Sequence, residues 1–370
     1  MLNLARSSLV FVFFILIFSF PEVAKARGQA DASPIKIGVS TALTGPAATW
    51  GTDIKNAVLF ANEHLANGKY KIIIEDDKGS SKDAVTVAHK LTDIDHVQTV
   101  FGCSSATVLS AAPIYQQGDV LMMIPLASSS KISKLLGEKF RTIASDTAAA
   151  NMLYHYIAKH HRRLAVITEQ SDYSEDFLAD FKLNNLANSS PLEIFEESHL
   201  TADTDFSSII TRLKSKNLDA LFINSNSEAT FSNVLSYVRR LHLDVPIYGA
   251  IIPGSNSFLT LTKSQSEGII FVDFPDNESS LTPEGLEIYR QYIQQFGPPK
   301  SWPIAFATTF EAFRVLHLAL ESGEDPANFI ATHSFNGIFG NYSFDRNGDI
   351  RGLTSTLKKI SNAEFILVND

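Results

Sequence analysis

Short apolar runs, each followed by a longer stretch of helical period, recur along most of this chain. That alternation restricts its architecture more than any other feature. Ile35 to Val39 reads as a strand, residues 53–65 as a helix and Tyr70 to Ile74 as the next strand. Helix 82–91, strand 97–101, helix 105–117 and strand 120–124 continue the series. Strand alternating with helix in this way specifies a parallel sheet covered on both faces. Between Arg141 and Ala150 the rhythm restarts. Helix 148–160, strand 164–167, helix 174–187, strand 192–198 and helix 205–215 follow, then strand 220–223, helix 228–241 and strands 245–248 and 268–272. The fold class expected is α/β, with two Rossmann-like doubly wound units. Helices 283–296 and 304–321 and short strands near Tyr342 to Phe344 and Glu364 to Val368 complete the pattern, which leaves open the unit they join.

At 370 residues the chain exceeds what a single core needs, so two domains are expected. Its 31 basic and 40 acidic residues give a net charge of -9, which disfavours nucleic acid and anionic membranes as partners. A single cysteine excludes an intrachain disulfide and any multi-thiolate zinc site. The N-terminus carries Arg6, then an apolar run from Leu9 to Phe20, then Pro21 and the small-x-small triplet Ala24-Lys25-Ala26. This is the pattern of a signal peptide, residues 1–26, cleaved after Ala26. The run is shorter than the ~20 residues a membrane span needs. No cysteine lies near the cleavage site, so a lipoprotein is not expected, and the mature chain should be an exported, acidic monomer.

Catalytic signatures are sparse. The sequence has no Gly-x-Ser-x-Gly elbow, no Walker loop and no His-Glu-x-x-His. His160 and His161 run into Arg162 and Arg163 at a predicted helix end, where cations favour the helix dipole. The segment from Asp345 to Asp349 has carboxylates at calcium-loop spacing, but the glycine is early and Thr356 stands where a bidentate Glu belongs, so it reads as a polar turn. Glu75-Asp76-Asp77 reads as a solvated strand end rather than a catalytic carboxylate pair. An enzyme is therefore not expected, and neither a cofactor nor a metal is implied.

Two loops are richer. Gly102-Cys103-Ser104-Ser105-Ala106-Thr107 follows strand 97–101 and opens a helix, and Pro125-Leu126-Ala127-Ser128-Ser129-Ser130 follows strand 120–124. Side by side at the carboxyl edge of a parallel sheet, they form an uncharged cradle of hydroxyl and N–H donors for a carboxylate or carbonyl. Helix capping by the same serines is the competing explanation.

Five segments occur in a recognisable order: Ile35 to Gly51, Glu75 to Asp77, Gly102 to Thr107, Arg141 to Asp146, and Phe344 to Gly352. With them the chain resembles the periplasmic solute-binding proteins of the leucine/isoleucine/valine type, receptors of ABC importers. The resemblance implies two lobes joined by three crossings, placed near Asp146, near Phe274 to Asp276 and near Gly352-Leu353. Lobe 1 would be 35–146 plus 276–352, and lobe 2 would be 147–275 plus 353–370. It also implies a small-molecule ligand trapped by hinge closure and an ABC permease as partner.

By the same resemblance Ser104, Leu126 and Ser128 hold the ligand's carboxylate, Trp50 lines the first lobe's wall and Tyr173 the second's. Two positions depart from the pattern. Ile251 lies in the loop where the family has an ammonium-binding acid, and Asn226 lies in a segment that replaces an expected aromatic. An amide, a carboxylate lacking an α-ammonium, or an apolar or aromatic acid then fits better than a zwitterionic amino acid. Glu169, Asp172 and Glu228 are possible displaced carboxylates. The candidate ligand-binding set is Trp50, Ser104, Ser105, Leu126, Ala127, Ser128, Tyr173, Asn226 and Ile251. The family's disulfide partner position falls near Gly79, so Cys103 is expected to be an inert buried thiol. A sensor domain of the same fold, and more remotely a serine hydrolase using Ser104 or Ser105, are the alternative functions.

Overall fold

The computed structural model describes residues 34–274, 281–301 and 304–368. The predicted leader, and the Pro275-Asp276 end of the second predicted crossing, lie outside them. The first sheet contains β1 (Lys36–Thr41), β2 (Lys71–Asp76), β3 (Thr99–Gly102), β4 (Leu121–Ile124) and β5 (Lys139–Arg141) in the order β2-β1-β3-β4-β5. Every pairing is parallel. Helices α1 (Ala48–Ala66), α2 (Ser81–His89) and α3 (Ser105–Gln117) make its crossovers. β1, β3 and β4 are almost wholly buried, as strands covered on both faces must be.

Helix α1 begins five residues before the predicted start at Asp53. Its cap residue, Ala47, makes no side-chain cap bond, so the sequence carries no start signal there. What fixes the helix is close approach: a Cβ on Gly51 would lie 1.8 Å from the Ala42 carbonyl oxygen. Only glycine lets α1 press this tightly on the end of β1, and Trp50 is placed by that contact.

The second sheet is built on α4 (Asp146–His160), β6 (Arg163–Glu169), α5 (Asp172–Ala187), β7 (Glu193–His199), α6 (Ser207–Lys214), β8 (Ala220–Asn224), α7 (Glu228–Arg240), β9 (Ile247–Gly249), α8 (Asn256–Thr262) and β10 (Ile270–Asp273). From β10 the chain returns to the first sheet's side, where α9 (Pro283–Phe296) and α10 (Ile304–Ser322) pack on α1. Next come α11 (Pro326–Thr332) and a small antiparallel sheet of β11 (Ser334–Gly337), β12 (Gly340–Phe344) and β13 (Ile350–Arg351). The last strands, β14 (Thr356–Ser361) and β15 (Glu364–Leu367), rejoin the second sheet, whose order is β15-β14-β10-β9-β8-β6-β7. Both are antiparallel additions at its edge.

Strand β14 is absent from the sequence reading because its polarity is misleading. Lys358 is buried, its ammonium 2.8 Å from the equally buried Asp273 carboxylate on the adjacent β10. A charge placed inside by pairing breaks the hydrophobic alternation that betrays other strands.

Two of the quoted segments prove to be one unit. The Arg141 guanidinium is buried and bonds the Asp349 carboxylate at 2.9 and 2.6 Å, the Ser129 carbonyl at 2.8 Å and the Ser133 hydroxyl at 2.9 Å. Asp345 turns its own carboxylate onto the N–H groups of Asn347 and Asp349. The loop's carboxylates thus serve the turn and the β5 contact.

Candidate functional site

A cavity of about 340 Å³ opens between the carboxyl ends of the two sheets. From the first-sheet side it is lined by Pro46, Ala47 and Trp50, by Lys78 and Gly79, and by the loops after β3 and β4. From the other side come residues that follow β6, β7, β8 and β9. Of the predicted set, Trp50, Ser104, Ser105, Leu126, Ser128, Tyr173, Asn226 and Ile251 line it. Ala127 does not, because its methyl group turns away into a separate core beneath α2 and α3 with Val100, Ile124 and Ile132.

The serine loops do both of the jobs that compete in the sequence. Ser104 caps α3, accepting from the Thr107 N–H at 3.4 Å and lying 2.9 Å from the Thr107 hydroxyl, and it also faces the cavity. Ser105 accepts from the Ser129 N–H at 3.3 Å, which ties the loop after β3 to the loop after β4. Ser128 is carried beside them, buried and on the cavity wall. Cys103 also lines this side. Burial pushes its thiol far above the usual range, so it stays protonated and unreactive.

Of the acidic triplet at the end of β2, Glu75 and Asp76 stay partly exposed as expected, but Asp77 does not. Asp77 is 1% exposed, accepting from the Ser40 hydroxyl and the Gly79 N–H at 2.9 Å each. Burial raises its pKa against these hydrogen bonds. Asp76 accepts from the N–H groups of Leu43 and Lys78 and from the Thr44 hydroxyl. Its modest burial acts upward, but the Thr44 hydroxyl and the backbone donors outweigh it and hold the carboxyl below the ordinary range. Together the two carboxylates anchor the loop before α1 and the left-handed pair Lys78-Gly79, whose φ values are 54° and 68°. A hydrogen-bonded scaffold takes the place of a solvated end, because the neighbouring loops fold over it.

The second wall is organised by Glu169, at the carboxyl end of β6 and 2% exposed. Its carboxylate accepts from the Thr201 hydroxyl at 2.8 Å, the Ser225 hydroxyl at 2.6 Å and the Asn226 N–H at 2.8 Å. One side chain therefore ties together the strand ends of β6, β7 and β8. Ser171 and Ser227 cap α5 and α7, which places the neighbouring Asp172, Tyr173 and Glu228 at the cavity. Sequence reading treated Glu169, Asp172 and Glu228 only as displaced possibilities; the structure brings all three carboxylates to the wall. Lys78, Thr201 and Ser227 were missed, although each lies just beyond a strand end of the kind that flagged the serine loops.

Two groups of contacts join the sides. The Trp50 indole N–H donates to the Glu228 carboxylate at 3.2 Å, and the Ser257 hydroxyl donates to the same oxygen at 3.1 Å. Elsewhere on the seam, Asp176 of α5 accepts from the Ser129 hydroxyl and pairs with the Lys131 ammonium at 2.6 Å. No histidine is among the described residues that line the cavity. The Ser104 hydroxyl has the Thr107 hydroxyl as its side-chain hydrogen-bond partner among the described residues.

Two sheets whose parallel strands present their carboxyl ends to one shared cavity define a two-sided α/β binding fold. The sequence pattern of the periplasmic binding protein family matches residues 34–352, and the chain belongs to that family. It is 26% identical over 339 residues to the Leu/Ile/Val-binding protein of Escherichia coli K12, covering 88% of this chain and 90% of the relative. It is 25% identical over 346 residues to a leucine-, isoleucine-, valine-, threonine- and alanine-binding protein of Pseudomonas aeruginosa, with 88% and 90% covered. Among solved structures, a leucine binding protein of Thermotoga maritima superposes with a TM-score of 0.82 at 20% identity, covering 90% of this chain and 98% of the other. A solute-binding protein of an ABC transporter from Rhodopseudomonas palustris, in complex with benzoate, does so with 0.80 at 14% identity, covering 91% and 96%.

Proposed function

We propose that this protein is the solute receptor of an ABC importer and not an enzyme. It would be exported by a leader cleaved after Ala26 and act as a monomer that hands its solute to a permease in the inner membrane. The observation that carries the reading is the cavity itself, of a size suited to a small organic molecule and lined from two sheets. The three passages of chain between those sheets support a division into lobes at 142–146, after Asp273 and at 352–355. Closure about them would trap the solute, a motion for which periplasmic binding proteins are a standard example.

The solute's carboxylate or carbonyl would sit on Ser104, Ser105 and Ser128, between Trp50 and Tyr173. Its other end would face Glu169, Asp172 and Glu228. These carboxylates remove the objection to a positively charged nitrogen that the Ile251 loop raised. The class of solute is therefore a small acid or amide bearing a hydrogen-bond donor, amine or amide, at its far end. Membership of a family whose relatives include amino-acid binders supports this.

The test is thermal unfolding against a panel of amino acids, amides and aromatic acids. A true solute at a hundredfold excess over its dissociation constant should stabilise the protein by about 2.7 kcal/mol. No shift from any member, or unchanged binding in the Ser104→Ala/Ser128→Ala double variant, would refute the cradle.

A further inference from the structure

We propose that Asp146 is a proton-linked positioning residue, so that capture of a carboxylate by Ser128 draws one proton onto Asp146. The inference rests on the reading of the cavity given above and deepens it.

Asp146 is the first residue of α4, where the chain first passes from one sheet to the other, and is 1% exposed. Among the described residues neither of its carboxylate oxygens meets the geometry of a full hydrogen bond, although the Ser128 hydroxyl lies close enough to favour its charged form. Its backbone N–H donates to the Ser128 carbonyl at 2.9 Å, so it is locked to the loop whose hydroxyl faces the cavity. From β5 it faces Arg141, already committed to Asp349, Ser129 and Ser133. From α5 it faces Asp176, Asp180 and the Tyr173 phenol. Asp176 is engaged by Ser129 and Lys131, and Asp180 accepts from the Thr147 hydroxyl at 3.1 Å. Two further carboxylates and a phenol thus surround a buried acid, and the nearby Arg141 guanidinium is shared.

Burial pushes the Asp146 carboxyl up to about 7; the Ser128 hydroxyl and Arg141 oppose the shift, and Asp180 and Asp176 add to it. When ionised, Asp146 competes for the Ser128 O–H as acceptor. When protonated, it donates to the Ser128 oxygen and leaves the Ser128 O–H free to donate to the solute. A bound carboxylate adds negative charge beside the acid and favours the protonated state further. The proton comes from solvent, adds to one Asp146 oxygen on binding and returns to solvent on release. Affinity is therefore greatest at low pH. It falls by up to about tenfold per pH unit between the pKa of the free and the occupied protein.

The experiment is calorimetric titration of the processed chain with L-leucine, L-glutamate, benzoate and acetate near neutral pH, in buffers of different ionisation enthalpy. The expected result is uptake of up to about half a proton per molecule bound at pH 7, rising toward one as the pH is raised a unit above it. Uptake should be absent in Asp146→Asn, whose affinity should be flat with pH, and diminished in Ser128→Ala. Infrared spectra of the protein alone should show a buried carboxyl titrating near neutrality that is missing in Asp146→Asn. Should that variant fail to fold, the Ser128→Ala titration and the wild-type infrared spectrum carry the test. Binding without proton uptake, or uptake that survives in Asp146→Asn, overturns the proposal alone. Failure of all four carboxylates to bind overturns this inference, and failure of the amides and remaining acids of the wider panel as well overturns the cradle.

Discussion

The cavity wall on the first-sheet side carries hydroxyls, main-chain donors, one indole and Lys78 but no carboxylate among the described lining residues, whereas the opposite wall carries three. Their construction differs as well. The first wall is held by close backbone approach, Gly51 against Ala42 above all, and by two aspartates behind it that never reach the cavity. The second is held by Glu169, which both faces the cavity and ties three strand ends together. The lesson is that donors can be preorganised by packing alone. Buried carboxylates must bring their own donors, because an unpaired one is costly.

Glu169→Ala should break the second wall most severely. It strands the donors of Thr201, Ser225 and Asn226 and should cost roughly 2–4 kcal/mol in chemical denaturation, with binding lost. Unchanged stability would mean that the three loops are held in some other way. A pH effect of similar size comes from the seam between the walls. Because the folded pKa of Asp146 lies above its value near 3.8 in the unfolded chain, its contribution is full below the latter and is lost as pH rises toward about 7. Wild type should therefore lose stability relative to Asp146→Asn over that window and run parallel to it above. Parallel curves throughout would contradict the placement of this carboxylate.

Gly51→Ala should cost about 1–3 kcal/mol by pushing α1 away from β1, and should shift Trp50 emission. Ser104→Ala should lose about 1 kcal/mol of stability as a helix cap as well as affinity. Ser128→Ala should lower affinity by roughly tenfold with stability unchanged. Equal stability losses in the two serine variants would erase that distinction. The smallest expected effect is on contacts between the walls. Glu228→Ala removes a partly exposed bond to Trp50 and should weaken binding about threefold, at under ~1 kcal/mol.

Much of this was legible in the sequence where a single strand or helix carries the signal. Helix 105–117 appears with its predicted ends, and the serine loops lie at strand ends where parallel topology puts them. Strand β5 was not legible, since three residues are too few for a period and their order depends on β4 and Asp349. Asp77 was misread because nothing local distinguishes a solvated aspartate from one that loops fold over.

Periodicity and residue order by themselves determined an α/β protein with two main sheets and placed the serine loops at strand ends, all of which depends on short-range pattern. Only the tertiary structure decided that Glu169, Asp172 and Glu228 reach the cavity while Ala127 turns away. It alone also buried Asp146 beside the Ser128 loop at the first passage between sheets. Those outcomes depend on which distant loops pack against each other, and a side chain's charge and burial are set by neighbours that its own segment does not encode.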